Sequence, residues 1–68
     1  MPQVESAAVE AIDYQPDKHL LFVTFTTGRR YVYFDVPAAV YLRFKHADSH
    51  GRYFNTHIRD RYDFRELI

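Results

Sequence analysis

Hydrophobic and polar positions alternate along the first half of the chain with the period of two that is typical of β-strands. The clearest example is the stretch 19–26, which is rich in β-branched and aromatic residues and predicts a strand. Its alternation places Leu21, Val23 and Phe25 together on one face. A weaker alternation over 7–14 predicts a preceding strand, because a turn containing a proline follows it directly.

A third strand is predicted at 30–34, after a tight turn in which Gly28 can adopt a positive φ. Alternation places Tyr31 and Tyr33 together on one face of this strand. The other face consists of Arg30, Val32 and Phe34. In the simplest pairing register, the two tyrosines share their face with Leu21 of the preceding strand.

Both faces of this predicted hairpin are largely apolar, whereas a half-buried antiparallel sheet normally has one polar face. Helices can cover one of the two faces. The other face, which includes Phe22, Val32 and Phe34, is then covered either by the C-terminal tail of the chain or by a second copy of it. The sequence leaves both alternatives open.

In the second half of the chain, hydrophobic residues recur at helical spacing. Asp35 offers a capping carboxylate for a first helix, and Pro37 fits its first turn, where a missing N–H costs nothing. The inward stripe of this helix consists of Val40, Tyr41, Phe44 and Ala47. Ser49 predicts the N-cap of a second helix, in which Phe54 and Ile58 face inward. Residues 60–68 are expected to form a short or frayed tail.

These elements predict an α+β fold, in which a three-stranded antiparallel meander is followed by two short helices packed on one face, in the order β-β-β-α-α. A chain of 68 residues can build only one hydrophobic core. We therefore expect a single domain over 1–68, with frayed ends at 1–6 and 65–68.

Composition narrows the function classes. The chain has no cysteine, which excludes disulfides and thiolate metal sites, and no stretch approaches the ~20 apolar residues of a membrane span. We interpret it as a cytoplasmic protein without a membrane partner. The net charge is zero, with three Lys/Arg against five Asp/Glu in residues 1–37 and six against four in residues 38–68. The second half of the chain therefore has a weak excess of positive charge, whereas most nucleic-acid binders have a strongly basic surface.

Two tyrosines and two arginines around the second turn are candidate nucleic-acid-binding residues. Tyr31 and Tyr33 offer rings on which bases can stack, and Arg29 and Arg30 offer guanidinium groups for phosphates. The alternative is that both rings belong to the core, and the strand alternation favours this alternative.

The second helix contributes two further candidates. Arg52 and Arg59 lie seven residues apart, so that they share a helical face on which they can follow phosphates, although a solvated face is the simpler interpretation. His46 and His50 have the spacing of a helical metal pair, but the predicted helix ends between them. No nucleophile, base and orienting acid occur together. We therefore predict no catalytic residue, no metal site and no cofactor.

Six short motifs, distributed over nearly the whole chain, carry a family resemblance. They are Ile12-Asp13-Tyr14, Leu21-x-Val23-x-Phe25-x-x-Gly28, Tyr31-Val32-Tyr33, Val36-Pro37, Ala47-x-Ser49-x-Gly51 and Tyr53-Phe54-Asn55-x-x-Ile58-Arg59. With these motifs the chain resembles the KTSC family, small domains that occur at the C-terminus of some lysyl-tRNA synthetases and as free-standing bacterial proteins.

The resemblance implies a small non-catalytic binding module, and the synthetase context suggests structured RNA such as tRNA as its ligand. A second hypothesis comes from the residues themselves. In it the chain is a protein-interaction or self-association module, which binds another protein or forms a homo-oligomer through the apolar face of Phe22, Val32 and Phe34. Both hypotheses describe a protein that is not an enzyme.

Overall fold

A computed structural model describes residues 8–67 of the chain. The predicted frayed segment at 1–6 lies outside the described residues. Within the described part, the elements follow one another as β1 (Val9–Gln15), β2 (Leu20–Phe25), β3 (Arg30–Tyr33), α1 (Ala38–Lys45), α2 (His50–Tyr53), a π-helical segment (Phe54–Ile58) and β4 (Phe64–Leu67). None of the helices formed by these residues is long and apolar enough to cross a bilayer.

The strands form one antiparallel sheet in the order β1-β2-β3-β4. The α+β prediction is confirmed, with one strand more than expected. The tail was expected to be frayed, and this was wrong for 64–67, which pair with β3 as β4. The physical reason is that β3 would otherwise present a row of unpaired N–H and C=O groups at the sheet edge.

The pairing register defines an inner face that the helices cover. Tyr33 lies opposite Leu21, and Tyr31 lies opposite Val23, which confirms that the tyrosines share the face of β2 that was predicted. The buried cluster joins this face to the helices, and it consists of Leu21, Val23, Tyr33, Val36, Phe44, Phe54 and Ile58. The inner face of the sheet is therefore the floor of the core.

The helix starts agree with the sequence in one case and differ in the other. Ser49 caps α2 as predicted, because its Oγ accepts a hydrogen bond from the Arg52 N–H at 3.2 Å. Asp35 was expected to cap α1, and this was wrong. The N-cap of α1 is Pro37, and no side chain caps this helix. Asp35 instead adopts a φ of 58° where the chain turns away from β3.

The π-helical segment follows α2 directly. Its wider turn closes through a hydrogen bond from the Arg59 N–H to the Phe54 carbonyl at 2.9 Å, five residues earlier. Phe54 and Ile58 are both buried under this turn. Because a π turn contains more residues than an α turn, the spacing of seven between Arg52 and Arg59 does not correspond to two full turns here.

Tyr14 ties β1 to the connection between β3 and α1. Its hydroxyl donates a 2.6 Å hydrogen bond to the Val36 carbonyl, and its ring stacks on Tyr41 with centroids 4.9 Å apart. We expect Tyr14→Phe to lower the free energy of unfolding by about 1 kcal/mol, because the buried carbonyl loses its donor while the stacking remains. Urea denaturation followed by circular dichroism measures this change.

Tyr41→Phe is the matched control, since it keeps the same ring pair and its hydroxyl makes no hydrogen bond to the rest of residues 8–67. We expect it to change the unfolding free energy by less than about 0.5 kcal/mol. Equal effects of the two substitutions would contradict the role assigned to the Tyr14 hydroxyl.

Candidate nucleic-acid interface

Three aromatic rings meet on the inner face where β3 and β4 pair. The Phe64 ring lies 5.9 Å from the Tyr31 ring and 5.6 Å from the Tyr33 ring, measured between centroids. Phe64 is 55% exposed, Tyr31 is half-buried and Tyr33 is only 3% exposed. We call the pair Tyr31 and Phe64 the aromatic edge, because these two rings are the ones that reach solvent.

Tyr33 supports the aromatic edge from beneath and is not part of it. Its ring meets Phe54 edge to face with centroids 5.6 Å apart. Burial raises the pKa of its hydroxyl to about 12, the negative charge of ionised Tyr31 and that of Asp60 act in the same direction, and Arg59 opposes them. The idea that Tyr33 stacks on a base is corrected by this burial, because a ring enclosed in the core has no free face.

One of the predicted arginines lies beside the aromatic edge, and a second lies near Tyr33 beneath it. The Arg29 Nε lies 3.4 Å from the Glu66 Oε2, and Glu66 is the β4 residue opposite Tyr31. The Arg29 side chain is 65% exposed, so that this ion pair adds little stability and can exchange for a phosphate. Arg59 lies close enough to the Tyr33 hydroxyl for its charge to lower that pKa.

The remaining two arginines lie elsewhere. Arg30 is paired with Leu67 and faces away from the helices, on the side of the sheet opposite to Tyr31. Arg52 lines a groove of about 280 Å³ beside α2. The structure therefore brings Arg29 beside Tyr31 and Arg59 near Tyr33, but it does not bring Arg30 and Arg52 to the same surface.

The groove beside α2 is lined by residues of the α1–α2 connection and of the helices that follow, which are Ala47, Asp48, Ser49, Arg52, Tyr53, Thr56 and His57. Its Ser49 oxygen accepts the N–H of Arg52, and the neighbouring His50 Nε2 lies 3.2 Å from the Lys45 carbonyl oxygen. Both side chains thus contact the backbone rather than each other, which agrees with the cap interpretation of Ser49. In the part of the chain that is described, no three or more His, Asp or Glu side chains are grouped for metal binding.

The face of the sheet opposite the helices is called the outer face. Phe22 lies opposite Val32 on this face, and Phe34 continues it by alternation. Val32 is 6% exposed, and the two phenylalanines are half-buried. One of the two alternatives required the tail to cover this face. Residues 64–67 of the tail do not cover it, because they extend the sheet beside β3 as β4.

Phe64 is the residue of this interface that the sequence did not single out. It follows a segment without hydrophobic periodicity, and the tail was expected to be frayed. An aromatic residue among charged residues, in Tyr62-Asp63-Phe64-Arg65-Glu66, was the only available signal. Phe64 is exposed on the inner face because β4 pairs with β3, and no local sequence pattern specifies this pairing.

Comparisons with known proteins agree with this fold. The model of the KTSC domain family matches residues 5–62. A protein of Tsukamurella paurometabola is 39% identical over 62 residues, which cover 91% of this chain and 92% of that protein. The chain superposes on the crystal structure of a KTSC domain protein from Yersinia pestis with a TM-score of 0.85, at 32% identity, over 96% of this chain and 92% of that one.

Two longer proteins are also similar to the chain. A lysine–tRNA ligase of Nostoc sp. is 32% identical over 63 residues, and that of Nostoc punctiforme is 30% identical over the same length. These matches cover 93% of this chain but only 11% of each ligase. The similarity therefore concerns a small segment of a much longer enzyme.

Proposed function

The chain belongs to the KTSC domain family, and from this premise we propose that it is a non-catalytic accessory module that binds structured RNA such as tRNA. The observation that carries the proposal is the aromatic edge, in which exposed Phe64 and half-buried Tyr31 lie beside Arg29, with Arg59 near the Tyr33 hydroxyl beneath them. The ligand class is suggested by the similarity to segments of two lysine–tRNA ligases.

The aromatic edge offers stacking surfaces for unpaired bases. Stacking of a base on an aromatic side chain contributes about 1–3 kcal/mol in single-strand binders and tolerates any sequence. Bases splayed out of loops or ends are the part of a folded RNA that such a surface recognises. Phe64, with more than half of its surface exposed, supplies the larger share of this contact.

The charges beside the aromatic edge set the strength of binding. Arg29 contacts a phosphate after exchanging its exposed partner Glu66, and Arg59 supplies a second cation near the Tyr33 side of the edge. The net charge of the chain is zero, and Glu66 competes with phosphate. We therefore propose weak binding with a shallow salt dependence, since few counterions are released.

A titration of folded tRNA with the protein at low salt tests this proposal. Phe64→Ala should weaken binding by about 5- to 150-fold, because the lost stacking is worth about 1–3 kcal/mol. Arg59→Ala should weaken binding several-fold and reduce the salt slope by about 1, as expected for one lost phosphate contact. Fluorescence anisotropy of end-labelled tRNA measures both effects.

Matched controls lie on the exposed side of α1. Leu42→Ala removes an apolar side chain that is 51% exposed, and Arg43→Ala removes an exposed arginine, both away from the aromatic edge. Neither should change the affinity. An Arg43→Ala effect as large as that of Arg59→Ala would mean non-specific attraction to the helical layer, and the absence of binding at low salt would refute the proposal.

A further inference from the structure

The outer face carries a charge pattern that runs across all four strands. One row of paired residues consists of Asp13 on β1, Phe22 on β2, Val32 on β3 and Arg65 on β4. The row therefore reads acidic, apolar, apolar and basic from one edge of the sheet to the other. Asp13 and Arg65 are exposed, which leaves both charges accessible.

The neighbouring positions extend this pattern along the strands. Towards the β2–β3 turn, the next row consists of Ala11, Thr24, Arg30 and Leu67. On the other side, Leu20 lies opposite Gln15, and Phe34 follows the end of β3. Phe22, Val32 and Phe34 thus form an apolar centre, Asp13 and Arg65 lie on the two edge strands, and exposed Arg30 adds a positive charge on β3 at the turn end of the face. The buried cluster under the helices includes none of these residues.

We propose that two copies of the chain pack outer face to outer face about a two-fold axis that runs parallel to the strands, between β2 and β3. This rotation exchanges the left and right edges of the face and preserves the position along the strands. Asp13 of each copy then faces Arg65 of the other, and Phe22 faces Val32. This proposal does not rest on the RNA-binding proposal.

The same row excludes the other simple arrangement. A two-fold axis perpendicular to the strands would place Asp13 opposite its own copy and Arg65 opposite its own copy. Like charges directly opposite each other are destabilising, whereas opposite charges across packed sheets are favourable. Sheets that pack face to face align their strands within about 30° of each other, which the parallel axis permits. The interface is closed and isologous, as most homodimer interfaces are.

The size of the face predicts a weak dimer. Four strands about 4.8 Å apart and three rows of outward side chains about 7 Å apart give a contact of roughly 400 Å² per copy. Stable protein interfaces bury about 800 Å² per partner. The dimer should therefore form only at high micromolar to millimolar concentration. The aromatic edge belongs to the inner face, so that the dimer leaves both copies of it accessible.

Sedimentation equilibrium of the purified chain between about 10 µM and 1 mM tests the proposal. We expect the average mass to rise with concentration from the monomer value of 8.2 kDa towards twice that value. Asp13→Arg alone and Arg65→Asp alone should each weaken association by about 10-fold or more, because each creates facing like charges. A one-to-one mixture of the two variants should associate again, since every facing pair is then of opposite charge.

Charge-matched variants of the helical side control for general attraction between oppositely charged proteins. Asp48→Arg and Arg43→Asp, both exposed, change the net charge by the same amounts away from the outer face. Their mixture should associate no more than the wild-type chain. The proposal is overturned if the wild type remains monomeric at 1 mM, if neither single variant weakens association, or if the mixture of Asp13→Arg and Arg65→Asp associates no more than either variant alone. Circular dichroism confirms that each variant is folded.

Discussion

Phe44→Ala is expected to remove a large part of the domain's stability. Phe44 is fully buried, and its ring stacks on Tyr53 at 5.7 Å and meets His50 edge to face at 5.9 Å. Removing a buried phenylalanine costs about 3–5 kcal/mol, because the transfer free energy is lost and a cavity remains. At about 0.05–0.15 kcal/mol per residue, a chain of 68 residues has only about 3–10 kcal/mol of stability.

The position of Phe44 explains why relaxation cannot offset this loss. It is the one buried residue of α1, and it joins this helix to α2 and to the π-helical segment through Tyr53 and Phe54. With the ring removed, α1 has only half-buried side chains against the core. Urea denaturation followed by circular dichroism, with near-ultraviolet signals of the aromatic residues as a second probe, measures the change.

Leu42→Ala is the control within the same helix. Leu42 is 51% exposed, so its truncation should change the unfolding free energy by less than about 0.5 kcal/mol while leaving helix propensity nearly unchanged. A loss of less than about 1 kcal/mol for Phe44→Ala would mean that the helices do not depend on this ring.

The floor of the core was predictable because its signal is local. Alternation along β2 and β3 placed Leu21, Val23 and both tyrosines on one face, and the pairing register agrees. A shift of one residue would move every one of these side chains to the other face, so a sequence with this pattern strongly specifies its register. Ser49 was equally predictable, since an N-cap depends only on the three residues that follow it.

The fourth strand was not predictable because its signal is distant. The stretch Phe64-Arg65-Glu66-Leu67 does not alternate, and its partner Arg30–Tyr33 lies more than thirty residues earlier. What stabilises β4 is the pairing itself, which satisfies the edge of β3. Neither the free edge of β3 nor the return of the chain to it leaves a pattern in the local sequence.

The candidate interface was predictable only in part for the same reason. Arg29 and Arg30 are neighbours in sequence, yet strand geometry sends Arg30 to the outer face while Arg29 pairs with Glu66 of β4. The exposure of Phe64 likewise depends on β4. The residues of the interface that come from the hairpin were identified, and the one that comes from the returning tail was not.

Alkaline pH is expected to destabilise the domain through Tyr33. Burial raises the pKa of its hydroxyl from 10.0 to about 12. The negative charges of Tyr31 and Asp60 also raise this pKa, and the positive charge of Arg59 lowers it. Between these two values, the unfolded chain releases this proton while the folded chain retains it. The contribution of Tyr33 to the free energy of unfolding is therefore fully present below pH 10 and is lost as the pH rises towards 12. At about 1.4 kcal/mol per pKa unit, the loss amounts to about 3 kcal/mol.

Two measurements separate this effect from the general consequences of high pH. Tyrosinate absorbance near 295 nm should show that one of the six tyrosines ionises about two pH units later than an ordinary tyrosine in the folded protein, and in step with the others in urea. Tyr33→Phe keeps the ring that contacts Phe54 but removes the proton, so the unfolding free energy of this variant should fall less steeply above pH 10. If the wild type and Tyr33→Phe lose stability in parallel above pH 10, Tyr33 does not contribute to the pH dependence. Another group then accounts for the alkaline transition.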